Sequence, residues 1–167
     1  MFKKIIAQYF ELPSNLYSQK HKYELVGSFF GAGYFKKAPG TFTSLLTLIL
    51  GLIIAKISSS LFIIITTLVL LVGFFVCEKI LESSKDKDPS FIVIDEVAGM
   101  LLAMLLVSNS IILSFVAFII FRILDIKKPW LIGLSETSFK GSTAVMMDDI
   151  LAGFATLLIV TFLSVLF

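Results

Sequence analysis

The sequence predicts an all-α protein, a polytopic transmembrane bundle of about five spans with a cytoplasmic N-terminus. Three observations carry that reading. Hydrophobic residues make up 57% of the 167 residues and charged residues only 16%, with a mean hydropathy of +1.00. A soluble domain is nearer half apolar and about a quarter charged. The apolar residues fall into runs divided by short polar stretches, and every Lys and Arg except Lys56 can be placed on one side of a membrane.

Taken in order, residues 1–40 read as a short interfacial or re-entrant segment and residues 41–167 as the helical bundle, together one membrane-embedded domain. Phe2–Phe10 has the pattern of an interfacial helix that Pro13 ends. Leu25–Phe35 is apolar but too short to span, and Gly27, Gly31 and Gly33 weaken it as a helix. The turn Lys36-Lys37-Ala38-Pro39-Gly40 starts the first span, Phe42–Ala55. Leu61–Ile80 is the second span, Phe91–Val107 the third, Ile111–Leu124 the fourth and Asp149–Phe167 the fifth. Lys56 with Ser58–Ser60, the charged loop Glu82–Asp88, Ser108–Ser110 and the polar hairpin Asp125–Met147 connect them. The N-terminal residues lack the apolar core and cleavage site of a signal peptide. Cys77 is the single cysteine, so it forms no disulfide within the chain and reads as a buried, inert thiol. A net charge of +2 gives no reason to expect nucleic acid as a partner.

Polar groups inside the apolar runs carry the functional signal. Asp95 and Glu96 lie near the front of the third run, and Asp148 and Asp149 open the last. One carboxylate costs roughly 2.5–3.5 kcal/mol at the centre of a membrane helix on an insertion scale, so something must compensate four of them. The predicted topology puts both acidic pairs at the cytoplasmic surface, together with Thr41 and Ser44 of the first span and Arg122, Asp125 and Lys128 at the end of the fourth. Adjacent helical residues point about 100° apart, so one acid of each pair is expected at the bundle centre and the other on Arg122 or Lys128. Gly99 and Gly153, one turn beyond Asp95 and Asp149, would let the two helices approach closely. Oxygen-only ligands suit Mg²⁺, which takes one or two protein carboxylates plus water and phosphate oxygens. Arg122, Lys128 and the helix N-termini add what an anion needs. His21 is the only histidine, which argues against a phosphohistidine mechanism and a zinc site, and no GxxxxGK[ST] is present.

Four stretches resemble the phosphatidylglycerophosphatase A family. Ala38-Pro39-Gly40-Thr41-Phe42-Thr43-Ser44 is similar to its PGTxGS stretch. Asp88-Pro89-Ser90 with Asp95-Glu96-Val97-Ala98-Gly99 is similar to its DP…DExxG segment. Phe121-Arg122-Ile123-Leu124-Asp125 with Lys128-Pro129-Trp130 resembles FRxxDxxKPxPI, and Met147-Asp148-Asp149-Ile150-Leu151-Ala152-Gly153 resembles IMxDDxxAG. The chain departs from the pattern at Lys140–Met146, where a glycine-rich stretch is usual, at Glu136, where the family has aspartate, and at Leu131, where it has proline.

The resemblance implies a Mg²⁺-dependent inner-membrane enzyme that hydrolyses phosphatidylglycerophosphate to phosphatidylglycerol and phosphate, with its active site facing the cytoplasm. On that reading Asp95, Glu96, Asp148 and Asp149 are the candidate metal ligands and the acids that support them. Asp95, Asp149 and Asp125 are catalytic, with Asp125 positioning or deprotonating the attacking water or orienting Lys128. Arg122, Lys128, Thr41 and Ser44 contact the phospholipid substrate, and no obligatory protein partner is implied. The alternative from another class is a small cation or proton-coupled transporter whose intramembrane acids bind the transported ion, although such sites usually lie near the midplane between repeats.

Overall fold

The structure, a computed structural model, describes residues 9–11, 13, 21–86, 89–129, 132–133 and 138–166. Among these residues it is all-helical, with no strand beyond an isolated bridge between Phe10 and Phe35. The six helices are α1 (Lys22–Gly27), α2 (Pro39–Ile57), α3 (Ser59–Ser83), α4 (Ile94–Ala103), α5 (Ile111–Lys127) and α6 (Ser142–Leu166). The N-terminal helix expected over Phe2–Phe10 and the Asp88, Trp130, Leu131 and Glu136 positions lie outside the described residues.

Three helices, α2, α3 and α6, are long and apolar enough to cross a membrane. At 1.5 Å per residue they run about 28, 37 and 37 Å, against a hydrocarbon core of about 30 Å. Their outer faces are apolar: Ile49 and Ile53 on α2, Ile64, Leu68 and Leu71 on α3, and Phe154, Leu158 and Phe162 on α6 are all exposed. Helix α5 has 17 residues, about 25 Å, and shows the same pattern through Ile112, Phe115, Ile119 and Ile123.

Helix α4 corrects the expected third span. The apolar run 91–107 is helical over only 10 residues, about 15 Å, half the thickness of a bilayer core. After Ala103 the chain tightens into i→i+3 bonds, Leu105 N–H to Leu102 O and Val107 N–H to Met104 O. Helix α4 packs against α2, α3, α5 and α6, and Ala98, Met100 and Ala103 are fully buried. A helix that is apolar all round fits a protein core as well as it fits lipid, so composition could not separate the two.

The ring of helices closes tightly around α4. Gly99 of α4 and Gly153 of α6 meet without side chains between them. A Cβ on Gly153 would lie 2.3 Å from Gly99 O, and one on Gly99 would lie 2.6 Å from Asp149 O. The two small residues therefore do what their spacing predicts, and the helices run parallel with their acidic turns side by side. Buried hydroxyls do not need partners from other helices. Thr47, Thr66 and Thr156 each donate to the carbonyl four residues back, at 2.8–2.9 Å, as such residues do in apolar surroundings.

The segment before α2 braces the entry to α4. Leu25–Phe35 is not one helix: α1 ends at Gly27, Phe29 and Phe30 take left-handed φ, and Ala32–Tyr34 forms a 3₁₀ turn. Val93 N–H donates to Gly27 O at 2.9 Å, and the Tyr34 ring stacks on Phe91 with centroids 5.2 Å apart. Burial pushes the Tyr34 hydroxyl up to about 12, so it stays neutral in that stack at any ordinary pH.

Replacing Gly153 by Ala should force α4 and α6 apart. We expect a loss of about 1–3 kcal/mol, read as a lower thermal unfolding midpoint in detergent. A variant as stable as the parent would show that the Gly99–Gly153 contact does not set the helix spacing.

Candidate active site

The parallel packing of α4 on α6 decides where the acids go. Asp95, Glu96 and Asp149 each offer a carboxylate oxygen, and the three oxygens lie within 4.8 Å of one another. Asp95 and Glu96 stand in the first turn of α4, where the helix N-terminus favours negative charge. Asp95 accepts the Glu96 backbone N–H at 3.0 Å, and Asp148 accepts that of Asp149 at 3.1 Å, so the first acid of each pair is held by the N–H of the second. Asp149 is only 3% exposed. Glu96 Oε2 and Asp149 Oδ2 are buried with no hydrogen-bond partner among the described residues.

The cations are shared with the remaining acids. Arg122 Nη1 binds Asp125 Oδ2 and donates to Ser44 Oγ at 3.4 Å. Lys128 Nζ binds Asp148 Oδ2 at 2.7 Å. Lys128 caps α5 in the left-handed region, φ 42°, a position that usually takes glycine. Asp125 also comes within hydrogen-bonding reach of Asp149, so the Arg122–Asp125 pair adjoins the three-carboxylate group. Here the structure departs from the expectation of one central acid per pair. That division holds for Asp148 and Asp149, but Asp95 and Glu96 both join the group. Asp148, expected as a metal ligand or as an acid supporting one, pairs with Lys128.

These groups form the floor of a cavity of about 760 Å³, lined by Asp95, Glu96, Asp125, Lys128, Asp148 and Asp149. Its mouth is made by Leu81, Ser84, Lys85, Asp86 and Ser90 on one side and by Phe139, Lys140 and Gly141 on the other. Thr41 and Ser44 do not line it. Ser44 is fully buried and donates to Gly40 O at 2.8 Å, so it reaches the site only through Arg122. Thr41, on the neighbouring turn, is half-buried away from the cavity wall.

Two contributors went unread in the sequence. Gly40 packs against Glu96: a Cβ there would sit 2.0 Å from Glu96 Oε1 and 3.3 Å from Arg122 Nη1. The Pro39-Gly40 pair reads as a helix start, and nothing local in it reveals a partner 56 residues away. Ser142 donates to Glu78 Oε2 at 2.7 Å and ties the first turn of α6 to α3. The signal was present, since Glu78 is an acid inside an apolar run, but its partner lay in the hairpin.

A helical bundle with an apolar exterior and a cavity lined by six carboxylates and three lysines has the architecture of a membrane-type enzyme. The comparisons with known proteins agree. Residues 25–164 match the family model described as Phosphatidylglycerophosphatase A, and the chain belongs to that family of phosphatases. A Bacteroides thetaiotaomicron protein provisionally named phosphatidylinositol-3-phosphatase is 37% identical over 137 residues, covering 77% of this chain and 85% of the relative. Phosphatidylglycerophosphatase A of Haemophilus influenzae is 32% identical over 136 residues, covering 78% and 82%. That of Escherichia coli is 27% identical over 150 residues, covering 89% and 87%. No solved structure matches.

Gly40→Ala should displace the Glu96 carboxylate without touching any charged residue. Affinity for a divalent cation, measured with Mn²⁺ by electron paramagnetic resonance, should fall about 10–100-fold, as when a supporting contact of a metal ligand is lost. Unchanged affinity would show that Glu96 does not need that space.

Proposed function

We propose that this chain is a Mg²⁺-dependent lipid phosphatase of the cell inner membrane that hydrolyses phosphatidylglycerophosphate to phosphatidylglycerol and inorganic phosphate at the cytoplasmic face. The observation that carries the proposal is the group of three carboxylates within 4.8 Å, two of them with buried oxygens that lack a partner, in a member of a phosphatase family. Such oxygens fit a hard cation, and a facing cation would offset the cost of holding buried carboxylates ionised. Asp95, Glu96 and Asp149 would hold Mg²⁺, which when bound supplies positive charge against the phosphate oxygens.

The chain's own residues do the rest. Lys128, held by Asp148, faces the phosphomonoester across the cavity floor. Arg122, whose Nε has no partner among the described residues, adds a second cation behind it. Asp125, paired with Arg122, orients the attacking water and takes one of its protons. Water oxygen bonds to phosphorus, the bond from phosphorus to the glycerol oxygen breaks, and solvent at the open mouth protonates the departing alkoxide. Family membership favours hydrolysis over ion transport. The two substrates named among the relatives share one chemistry, a phosphomonoester on a headgroup joined to diacylglycerol through a phosphodiester. The family model and two of the relatives carry the phosphatidylglycerophosphatase A name, which supports phosphatidylglycerophosphate as the substrate.

We further place α2, α3 and α6 across the bilayer, with α4 and α5 as a hairpin entering from the cytoplasmic side, five membrane segments in all. A hairpin that begins and ends on one face leaves the Lys and Arg asymmetry unchanged. In a Cys77→Ala background, Lys56→Cys should react with a membrane-impermeant maleimide in spheroplasts, and Lys140→Cys only after the membrane is permeabilised. The reverse pattern would overturn the orientation.

For the reaction itself, purified protein in detergent should release phosphate from phosphatidylglycerophosphate, and a chelator should stop it until Mg²⁺ is restored. Asp95→Asn and Asp149→Asn should each lower kcat at least about 10²-fold, the scale of a lost charge-stabilising group, while membrane insertion persists. Full activity in both variants would remove the site assignment.

A further inference from the structure

The cavity has two differently charged levels, and only the deeper one is used by the reaction just proposed. On the floor Lys128 is committed to Asp148, and Arg122, outside the lining, is committed to Asp125. At the mouth stand Lys85, beyond the end of α3, and Lys140, before the start of α6. Both are exposed, and neither has an ion-pair partner among the described residues. Asp86 shares the rim and leaves its balance positive.

Apolar residues accompany the two lysines. Leu81 at the end of α3 and Phe139, Ala144 and Val145 around the start of α6 line the same wall, and Phe139 is 41% exposed. This side of the cavity therefore offers cations at headgroup level with apolar surface beside them, which suits the joint between a lipid's headgroup and its acyl chains. Lysines at such a level keep their charge in water while their stems lie along apolar surface.

Resting on the phosphatase reading above, we propose that Lys85 and Lys140 are specificity residues that grip the phosphodiester of the substrate while its phosphomonoester lies on the cavity floor. The three-carbon bridge of a glycerophosphoglycerol headgroup separates the two anions, and the cavity presents two cationic levels to receive them. Binding energy drawn from this non-reacting phosphate lowers KM and orients the headgroup. It also selects lipids with two phosphates over soluble phosphomonoesters.

The test is the double variant Lys85→Ala/Lys140→Ala, assayed in mixed micelles with Mg²⁺. KM for phosphatidylglycerophosphate should rise about tenfold or more, the scale of one lost charged contact. kcat should hold within about twofold, since these contacts are alike in ground and transition states. Inhibition by inorganic phosphate, which can occupy only the floor, should keep its inhibition constant, and Lys85→Arg/Lys140→Arg should restore KM. An unchanged KM overturns the proposal. So does a fall in kcat together with weaker phosphate inhibition, which would assign the lysines to the reacting phosphate or to the fold. Wild-type protein that releases no phosphate at all would sink the phosphatase reading first, and this proposal with it.

Discussion

The close contact of α4 with α6 is the constraint on which the rest depends. Two glycines, 99 and 153, let the backbones touch, and parallel packing then sets Asp95 and Glu96 level with Asp149. With ordinary side chains at those positions the helices would stand several ångströms further apart, and the carboxylates would no longer share one point. Sterics at a place with no charge therefore determine the electrostatics one turn away.

That contact concentrates like charge where the surroundings are least able to screen it. Five carboxylates gather here beside Arg122 and Lys128. Three of the five have a distinct compensation. Asp125 and Asp148 have a guanidinium and an ammonium. Asp95 has a backbone N–H at a helix start. Glu96 Oε2 and Asp149 Oδ2 are buried with no hydrogen-bond partner among the described residues. Buried polar groups without partners are rare in folded proteins, and functional sites are where they are tolerated.

Much of this could be read in the sequence, and the reason is the solvent. In an apolar chain a charge is expensive, so Asp95, Glu96, Arg122, Asp125, Lys128, Asp148 and Asp149 stand out with no alignment at all. The close approach through Gly99 and Gly153 followed from their place one turn beyond the acids, and the parallel run from the predicted topology. What failed was any inference that required knowing what surrounds an apolar residue. The run 91–107 has the composition of a lipid-facing span and is a short helix walled in by protein. Thr41 and Ser44, put at the level of the acids by the predicted topology, do not line the cavity, and Ser44 accepts from Arg122. Lys85 and Lys140 were visible only as contributors to charge asymmetry, because their place at the mouth depends on how a loop and a hairpin fold over the floor.

The enclosure of α4 also orders events in time. A ribosome delivers α2 and α3 first, and each can settle in lipid unaided, but α4 has no such refuge. Its neighbour α6 emerges later than α4, so a nascent chain carries Asp95 and Glu96 before the third carboxylate exists. The three-carboxylate group is therefore assembled late, and a chain cut short before α6 holds no half-formed version of it.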